Sequence, residues 1–238
     1  MKIEILYSDL GYYYGDNGNV SYLLNCLKDA QVIYTDNTSI PYFVQNDDID
    51  LVYMGSLSEN KQLIAIERLS KYKDILKQRI NENVIFLFTG NSLEILGKYI
   101  EDDNNKTDCL GLYDFYTKRN LNSRINYLFK GKYEDIDIVG NKSQYSLIYS
   151  NDNNTFIQVD KGLGNNLEDK YEGIHDHNLF ATYLLGPFLV LNPLFTQKII
   201  KMIDPNNELA YKKEIIDAYE LRIKQMSNPK LDYSLHEH

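Results

Sequence analysis

The sequence has 238 residues, of which 43% are hydrophobic and 25% are charged, with a formal net charge of −9 and a pI near 5.0. This composition excludes a disordered chain, and the acidic balance argues against nucleic acid as a partner because no basic block is present to displace counterions. No apolar run approaches the roughly 20 residues that a membrane span needs, so we expect a cytoplasmic protein without a membrane span.

The first hundred residues alternate strand and helix patterns. Strands are predicted at 2–7, 31–34, 51–54 and 84–88, and a helix at 20–27 with Asn19 as its N-cap. A long helical region is predicted to end at Ile80, with Leu63 among its inward residues. This alternation with short connections predicts a mainly parallel sheet with helices on both faces.

The pattern changes after residue 102. The segment DDNNKTD predicts a polar loop, and the short strand-like pieces that follow predict an antiparallel extension of the sheet. Helices are expected at 192–203 and 208–226. We predict one domain over residues 1–228, followed by a loose C-terminal tail at 229–238.

One turn organises the chain. The apolar strand VIFLF at 84–88 runs directly into TGNSLEILG, so the chain turns sharply at Thr89, Gly90 and Asn91. Such a strand-to-helix turn holds one residue in a strained conformation at the helix N-terminus, where unpaired N–H groups would activate a nucleophile. The apex here is Gly90, which has no side chain with which to attack a substrate.

Six segments carry a family pattern in unbroken order over most of the chain. They are YSDLGYYYGDNGN at 7–19, MGSLSENKQ at 54–62, the turn before EILGKYI at 94–100, LGLYDFYT at 110–117, GLGNNLEDKYEGIHDHNLFATYL at 162–184 and GPFLVLNP at 186–193. Together they resemble class I glutamine amidotransferases of the cobyric acid synthase type, and in particular the glutaminase subunits of lipid II isoglutaminyl synthases.

The resemblance implies a flavodoxin-like three-layer α/β fold and a partner protein that is similar to Mur ligases and amidates a peptidoglycan precursor. It implies glutamine as the substrate and no cofactor or metal. In that family a cysteine at the turn attacks the glutamine amide, and a histidine in a TYLHGP-like segment transfers the proton. The resemblance places Gly90 at the cysteine position and Leu185 at the histidine position.

Two further segments depart from the family pattern. The glycine-rich turn that supplies oxyanion N–H groups is Gly55-Ser56-Leu57 here, and these residues with Asn91 are the expected substrate pocket. The segment after Gly140, which is glycine-rich and basic in the family, is NKSQYSLIY here. Since losing one member of a catalytic triad abolishes most of the rate, these departures predict that glutamine hydrolysis has been lost.

Other residues are candidates for a relocated nucleophile. Ser92 and Thr89 have hydroxyl groups next to the turn, and His175 and His177 are candidate bases that would share one face of a strand. The alternative is that Ser92 and Thr89 only cap the helix and that the histidines lie in a loop. Cys109 would serve as the thiol only if its loop folded over the turn, and Cys26 is expected to be an inert packing cysteine.

The sequence therefore leaves three functions open. The first is a non-catalytic glutaminase-like subunit that is a scaffold for a Mur-ligase-like partner using free ammonia. The second is an active amidotransferase or small hydrolase with its nucleophile at Ser92, Thr89 or Cys109. The third is a sensor that binds glutamine or another small molecule in the pocket.

Overall fold

The fold combines a mainly parallel α/β core with two four-stranded sheets, one of them antiparallel and the other antiparallel except for the parallel pair formed by Tyr99–Asp102 and Phe115–Arg119. The computed structural model describes residues 1–103, 105–151 and 153–234. The strands are β1 Lys2–Leu6, β2 Gln31–Thr35, β3 Leu51–Met54, β4 Ile85–Thr89, β5 Tyr99–Asp102, β6 Asn105–Asp108, β7 Phe115–Arg119, β8 Ile125–Tyr133, β9 Ile136–Gln144, β10 Ser146–Ser150, β11 Ile157–Lys161, β12 Tyr171–Glu172, β13 Ile174–Asp176 and β14 Leu179–Thr182. The helices are α1 Asp16–Cys26, α2 Tyr42–Gln45, α3 Glu59–Ser70, α4 Lys73–Asn81, α5 Phe188–Leu191, α6 Pro193–Ile203 and α7 Lys212–Met226, with 3-10 helices at Ser8–Leu10 and Gly90–Leu96.

The core sheet has the strand order β13-β14-β4-β3-β1-β2. All of its strand pairs are parallel except β13 with β14. Every residue of β3 and β4 is buried, and alternate residues join different apolar clusters: Phe86 and Phe88 on one face, Leu87 on the other. Burial on both faces requires the continuous apolar runs seen in the sequence, and the prediction of a mainly parallel sheet with an antiparallel extension is confirmed.

Two four-stranded sheets form the extension, in the orders β10-β7-β5-β6 and β12-β11-β8-β9. The prediction of a polar loop at DDNNKTD is wrong, because Asp102 belongs to β5 and residues 105–108 form β6, and the two strands pair as a hairpin in which Glu101 is opposite Lys106. The strand β6 is exposed at the edge of its sheet. An exposed edge strand needs no apolar alternation, so the sequence pattern contained no strand signal.

Two helix predictions need correction. Helix α1 begins at Asp16 after Gly15, and Asn19 lies inside the helix, where its Oδ1 accepts a hydrogen bond from the Leu189 N–H at 2.8 Å. The predicted helical region consists of two helices, α3 and α4, and Leu63, which was expected to face inward, is 43% exposed. For Asn19, a contact with Leu189, which is distant in the sequence, overrode the local preference of asparagine for the cap.

The C-terminal segment is only partly as predicted. Within the segment expected to be loose, Tyr233 and Ser234 lie against β8: the Leu128 N–H donates to the Tyr233 carbonyl at 2.8 Å, Ser234 is bridged to Tyr127, and Tyr233 is buried. His236 and His238 lie outside the described residues. Among the helices of the described ranges, none has the length and apolar character of a membrane span. That residues 1–228 form one domain stays a prediction.

Candidate functional site

The turn at Gly90 has the conformation expected of a strained strand-to-helix connection. Gly90 directly follows β4, opens the 3-10 helix Gly90–Leu96 and has a φ of +64°, in the left-handed region that side chains disfavour. A Cβ built on Gly90 would lie 2.6 Å from the Ser56 Cβ and 3.3 Å from the Leu185 Cδ2. The space that a side chain at this position would need is therefore filled by Ser56.

Leu185 lies beside this turn. It follows β14, is buried, and its N–H donates to the Asn141 carbonyl at 3.0 Å, which attaches it to β9. The structure thus brings together Gly90 and Leu185, the two positions that the sequence pairs. An aliphatic side chain there has no group that transfers a proton.

The backbone N–H groups of the turn after β3 are already bonded. The Ser56 N–H donates to the Asp16 carboxylate at 2.5 Å, and the Leu57 N–H donates to Asn91 Oδ1 at 2.8 Å. Asn91 also donates through Nδ2 to the Leu57 carbonyl at 2.9 Å, so its amide is held at both ends. Neither Ser56 nor Leu57 thus has an N–H aimed at a developing oxyanion, the geometry that acyl-transfer catalysis requires.

A small pocket lies over the turn, at the carboxyl ends of the parallel strands where ligands of such sheets bind. It has a volume of about 30 Å³, which holds a few water molecules at most. Three of the four expected pocket residues line it, Ser56, Leu57 and Asn91, whereas Gly55 does not. The other lining residues are Tyr14, Glu59, Gly90, Glu94, Ser143, Gln144, Tyr145, Ser146, Tyr183 and Leu185.

The floor of the pocket contains a buried ion pair that sequence reasoning missed. Glu94, 1% exposed, accepts a hydrogen bond from Arg119 at 2.6 Å and another from the Tyr183 hydroxyl at 3.0 Å. Gln62 joins the network, because its Nε2 donates to Glu94 at 3.2 Å and to the Asn91 carbonyl at 2.6 Å. The only sequence signal was Glu94 itself, an acidic residue among the apolar residues of the turn helix.

The single cation of the NKSQYSLIY segment does not line the pocket. Lys142 is fully buried, its Nζ donates to the Gly164 carbonyl at 2.7 Å, and Glu172 lies 3.5 Å away. Burial lowers the pKa of Lys142. Arg124 donates to the Tyr14 hydroxyl at 2.9 Å and lies over the Tyr145 ring. It thus connects two of the residues that line the pocket.

The hydroxyl candidates are part of the core packing. Ser92 Oγ lies 2.7 Å from the Thr89 carbonyl oxygen and 3.2 Å from that of Met54, and Thr89 Oγ1 is hydrogen-bonded to the Tyr53 hydroxyl at 2.8 Å. Both side chains are fully buried. Neither hydroxyl is bonded to a histidine, so the structure does not assemble the hydroxyl–imidazole couple that the sequence left open.

The expectation that His175 and His177 share a face is wrong. His175, in β13, stacks on Phe180 with ring centroids 4.5 Å apart and bonds the Leu179 carbonyl, and burial lowers its pKa. His177 follows the strand with a φ of +53°, is exposed, and bonds Asp176. Asp176 pairs with Leu179 and Leu179 with Phe86, so His177 lies near the amino end of the parallel strands, away from Gly90.

The two cysteines lie outside the pocket. Cys109 follows β6, and burial raises the pKa of its thiol to about 12, which keeps it protonated at neutral pH. Cys26 is buried, and its Sγ accepts a hydrogen bond from the Ala210 N–H. In the described ranges, no group of three or more histidine, cysteine or acidic residues is arranged to hold a metal ion.

Residues 2–193 match the family model of the CobB/CobQ-like glutamine amidotransferase domain. The chain is 34% identical over 182 residues to the lipid II isoglutaminyl synthase (glutamine-hydrolyzing) subunit GatD of Staphylococcus aureus, covering 76% of this chain and 74% of that protein. It is 27% identical over 205 residues to the subunit of the same name from Streptococcus pneumoniae, covering 84% of this chain and 79% of that protein.

A solved structure described as a glutamine amidotransferase matches with a TM-score of 0.53 and 13% identity, over 84% of this chain and 97% of that chain. At this identity the likeness concerns the fold alone. It agrees with the arrangement of the core sheet and its helices.

Proposed function

The chain belongs to the CobB/CobQ-like glutamine amidotransferase family, and we propose that it is a glutaminase-like subunit without glutaminase activity. In this proposal it is a scaffold for a Mur-ligase-like protein that amidates a cell-wall precursor with free ammonia. The two GatD relatives are each named as a subunit of a glutamine-hydrolyzing synthase.

One observation is the main support for the proposed loss of activity. At the turn where the family places its nucleophile, Gly90 has no side chain, and the Ser56 Cβ lies 2.6 Å from where a Cβ would stand. Real Cβ atoms essentially never approach another atom so closely. A cysteine at residue 90 would therefore require the turn after β3 to move, in addition to the substitution itself.

Three further features support the same proposal. The partner position of the proton-transferring histidine is the aliphatic Leu185, the N–H groups of Ser56 and Leu57 are bonded to side chains, and the pocket holds only a few waters. Each of these would separately reduce acyl transfer, because the reaction needs a nucleophile, a base and free oxyanion donors together.

The alternative of a relocated nucleophile has no structural support in the described residues. Ser92 and Thr89 are buried and bonded to core groups, and the pKa of Cys109 is too high for a thiolate. The candidate bases His175 and His177 are bonded elsewhere. A serine or threonine without a base within hydrogen-bond reach is a weak nucleophile.

The proposal is tested with the full chain and a Mur-ligase-like protein from the same organism. Amidation of the lipid-linked precursor is measured with glutamine or with ammonium chloride as the nitrogen source, and glutamate release is measured in parallel. We expect amidation with ammonium and no glutamate release. The S. aureus GatD subunit with its own partner is the positive control for glutamine.

The loss of glutaminase activity and the scaffold role can be refuted independently of each other. Glutamate release that Ser92→Ala or Thr89→Ala abolishes would show a relocated nucleophile and contradict the loss of activity. Failure of the two purified proteins to form a complex would contradict the scaffold role and would leave the question of hydrolysis to the glutamate assay.

A further inference from the structure

The outer edge of the core sheet is open. In the described residues β2 pairs only with β1. The Gln31 N–H donates to the Met1 carbonyl at 2.9 Å, and the Thr35 carbonyl accepts from the Tyr7 N–H at 2.7 Å. The backbone N–H and C=O groups of Gln31, Thr35 and the intervening Ile33 therefore point toward β1. Backbone groups alternate in direction along a strand, so those of Val32 and Tyr34 point away from the sheet. No described residue bonds them.

This edge lacks the features that normally prevent strand addition. Its sequence, QVIYT, contains no charged residue and no proline, and Tyr34 is 62% exposed. Edge strands of soluble proteins are usually protected by lysine, proline, a bulge or a covering loop. The outer strand β6 of this same chain, NKTD, contains Lys106 and Asp108. The unprotected edge at β2 thus differs from the charged edge strand β6 of another sheet and is suited to pair with a strand.

We propose that β2 pairs antiparallel with β2 of a second copy of this chain, around a two-fold axis through Ile33. In this register Val32 of each copy is opposite Tyr34 of the other, so all of the outward backbone groups form hydrogen bonds. A registry centred on another residue would leave some of them unpaired. A two-fold interface of this kind needs a surface that is complementary to itself, and β2 has that property.

The side chains and flanking charges favour this register. It places β-branched Val32 opposite aromatic Tyr34, a pairing that stabilises antiparallel strands, and uncharged Gln31 opposite Thr35. Beyond the strand, Asp29 and Asp36 are opposite uncharged residues, Asn37 and Ala30. No like charges meet, which is why a second copy fits this edge. The inference is independent of the proposed function, since β2 is three strands from β4.

The first test is the mass of the full chain in solution. Sedimentation velocity across a range of concentrations should show a concentration-dependent dimer, and Tyr34→Lys should raise the dissociation constant at least tenfold by placing charge at the interface. Leu221→Lys is the matched control, because Leu221 is 56% exposed on α7, and it should leave the dimer unchanged. A monomer at every concentration would overturn the proposal and would leave the edge to a strand of another protein.

The second test uses cysteine cross-linking to read the register. Two Ile33 residues on the axis form a non-hydrogen-bonded pair with Cα atoms about 4.5 Å apart, within disulfide range. Two Tyr34 residues would be roughly 9 Å apart, outside it. Ile33→Cys should therefore form a disulfide-linked dimer under mild oxidation, and Tyr34→Cys should not.

Comparing the cross-linking rates of Ile33→Cys and Tyr34→Cys distinguishes the proposed register from random collisions. Tyr34 is more exposed than Ile33, so random encounters would cross-link Tyr34→Cys faster. That result would overturn the proposal, as would a dimer that persists in Tyr34→Lys without cross-linking of Ile33→Cys. The wild-type chain, whose own thiols are buried or half-buried, is the oxidation control.

Discussion

The filled position at Gly90 makes a quantitative prediction about stability. Gly90→Ala places a Cβ where the backbone has a φ of +64° and where the Ser56 Cβ is 2.6 Å away. The left-handed conformation costs an alanine about 1–2 kcal/mol, and overpacking adds about 1–3 kcal/mol. We expect the free energy of unfolding to fall by about 2–5 kcal/mol.

A matched glycine separates the two contributions. Gly111 has a φ of +65°, and a Cβ built on it meets nothing within 4 Å. Gly111→Ala should therefore show the conformational cost alone, about 1–2 kcal/mol. The rest of the loss in Gly90→Ala is then due to the steric contact with Ser56. Adding Ser56→Gly to Gly90→Ala should relieve this contact, so the interaction free energy between the two substitutions should be well above the roughly 0.5 kcal/mol seen for independent sites.

Urea unfolding at one temperature, followed by circular dichroism, measures all four variants, provided the slope with denaturant is unchanged. Ser56→Gly alone has its own cost, because the Ser56 hydroxyl donates to the Tyr13 carbonyl at 2.9 Å, and the double-mutant cycle removes that cost from the comparison. If Gly90→Ala destabilises no more than Gly111→Ala, the turn has room for a side chain, and the structural basis of the proposed inactivity is lost.

Three further predictions concern buried ionisable groups. Glu94→Gln leaves its buried arginine partner uncompensated and should lower the free energy of unfolding by about 3–5 kcal/mol, whereas Asp217→Asn, in an exposed pair, should change it very little in the same urea assay. Burial raises the pKa of Tyr53 well above 10, so the unfolded chain loses this proton before the folded chain does, and the free energy of unfolding should fall as the pH rises above 10. This fall should be less steep in Tyr53→Phe, which has no proton to lose at this position. An equally steep fall in Tyr53→Phe would refute the assignment. Burial lowers the pKa of His175 below 6.5, so its contribution to stability is full above pH 6.5 and is lost as the pH falls further; a ring resonance titrating at or above 6.5 in NMR would contradict this burial.

Several features of the fold were predictable because their causes are local. The strand 84–88 is apolar at every position because β4 is buried on both faces, and the strand–helix alternation restricts the sheet to mainly parallel pairing. The hairpin of β5 and β6 was not predictable, because an exposed edge strand has no apolar alternation. The N-terminus of α1 was misplaced because Asn19, a good cap residue, is used in a contact with Leu189.

Some features of the candidate site were likewise predictable from the sequence, and others were not. The sequence itself gives the residue types, a glycine at residue 90 and a leucine at residue 185. It also predicts the sharp turn at residue 90, because an apolar strand is followed directly by a helix. Only the tertiary structure placed the Ser56 Cβ against Gly90, bonded the Leu57 N–H to Asn91, and joined Glu94 to Arg119 across 25 residues of chain. These contacts depend on how strands far apart in the sequence are set side by side, and neither the period of a pattern nor the propensity of a residue contains that information.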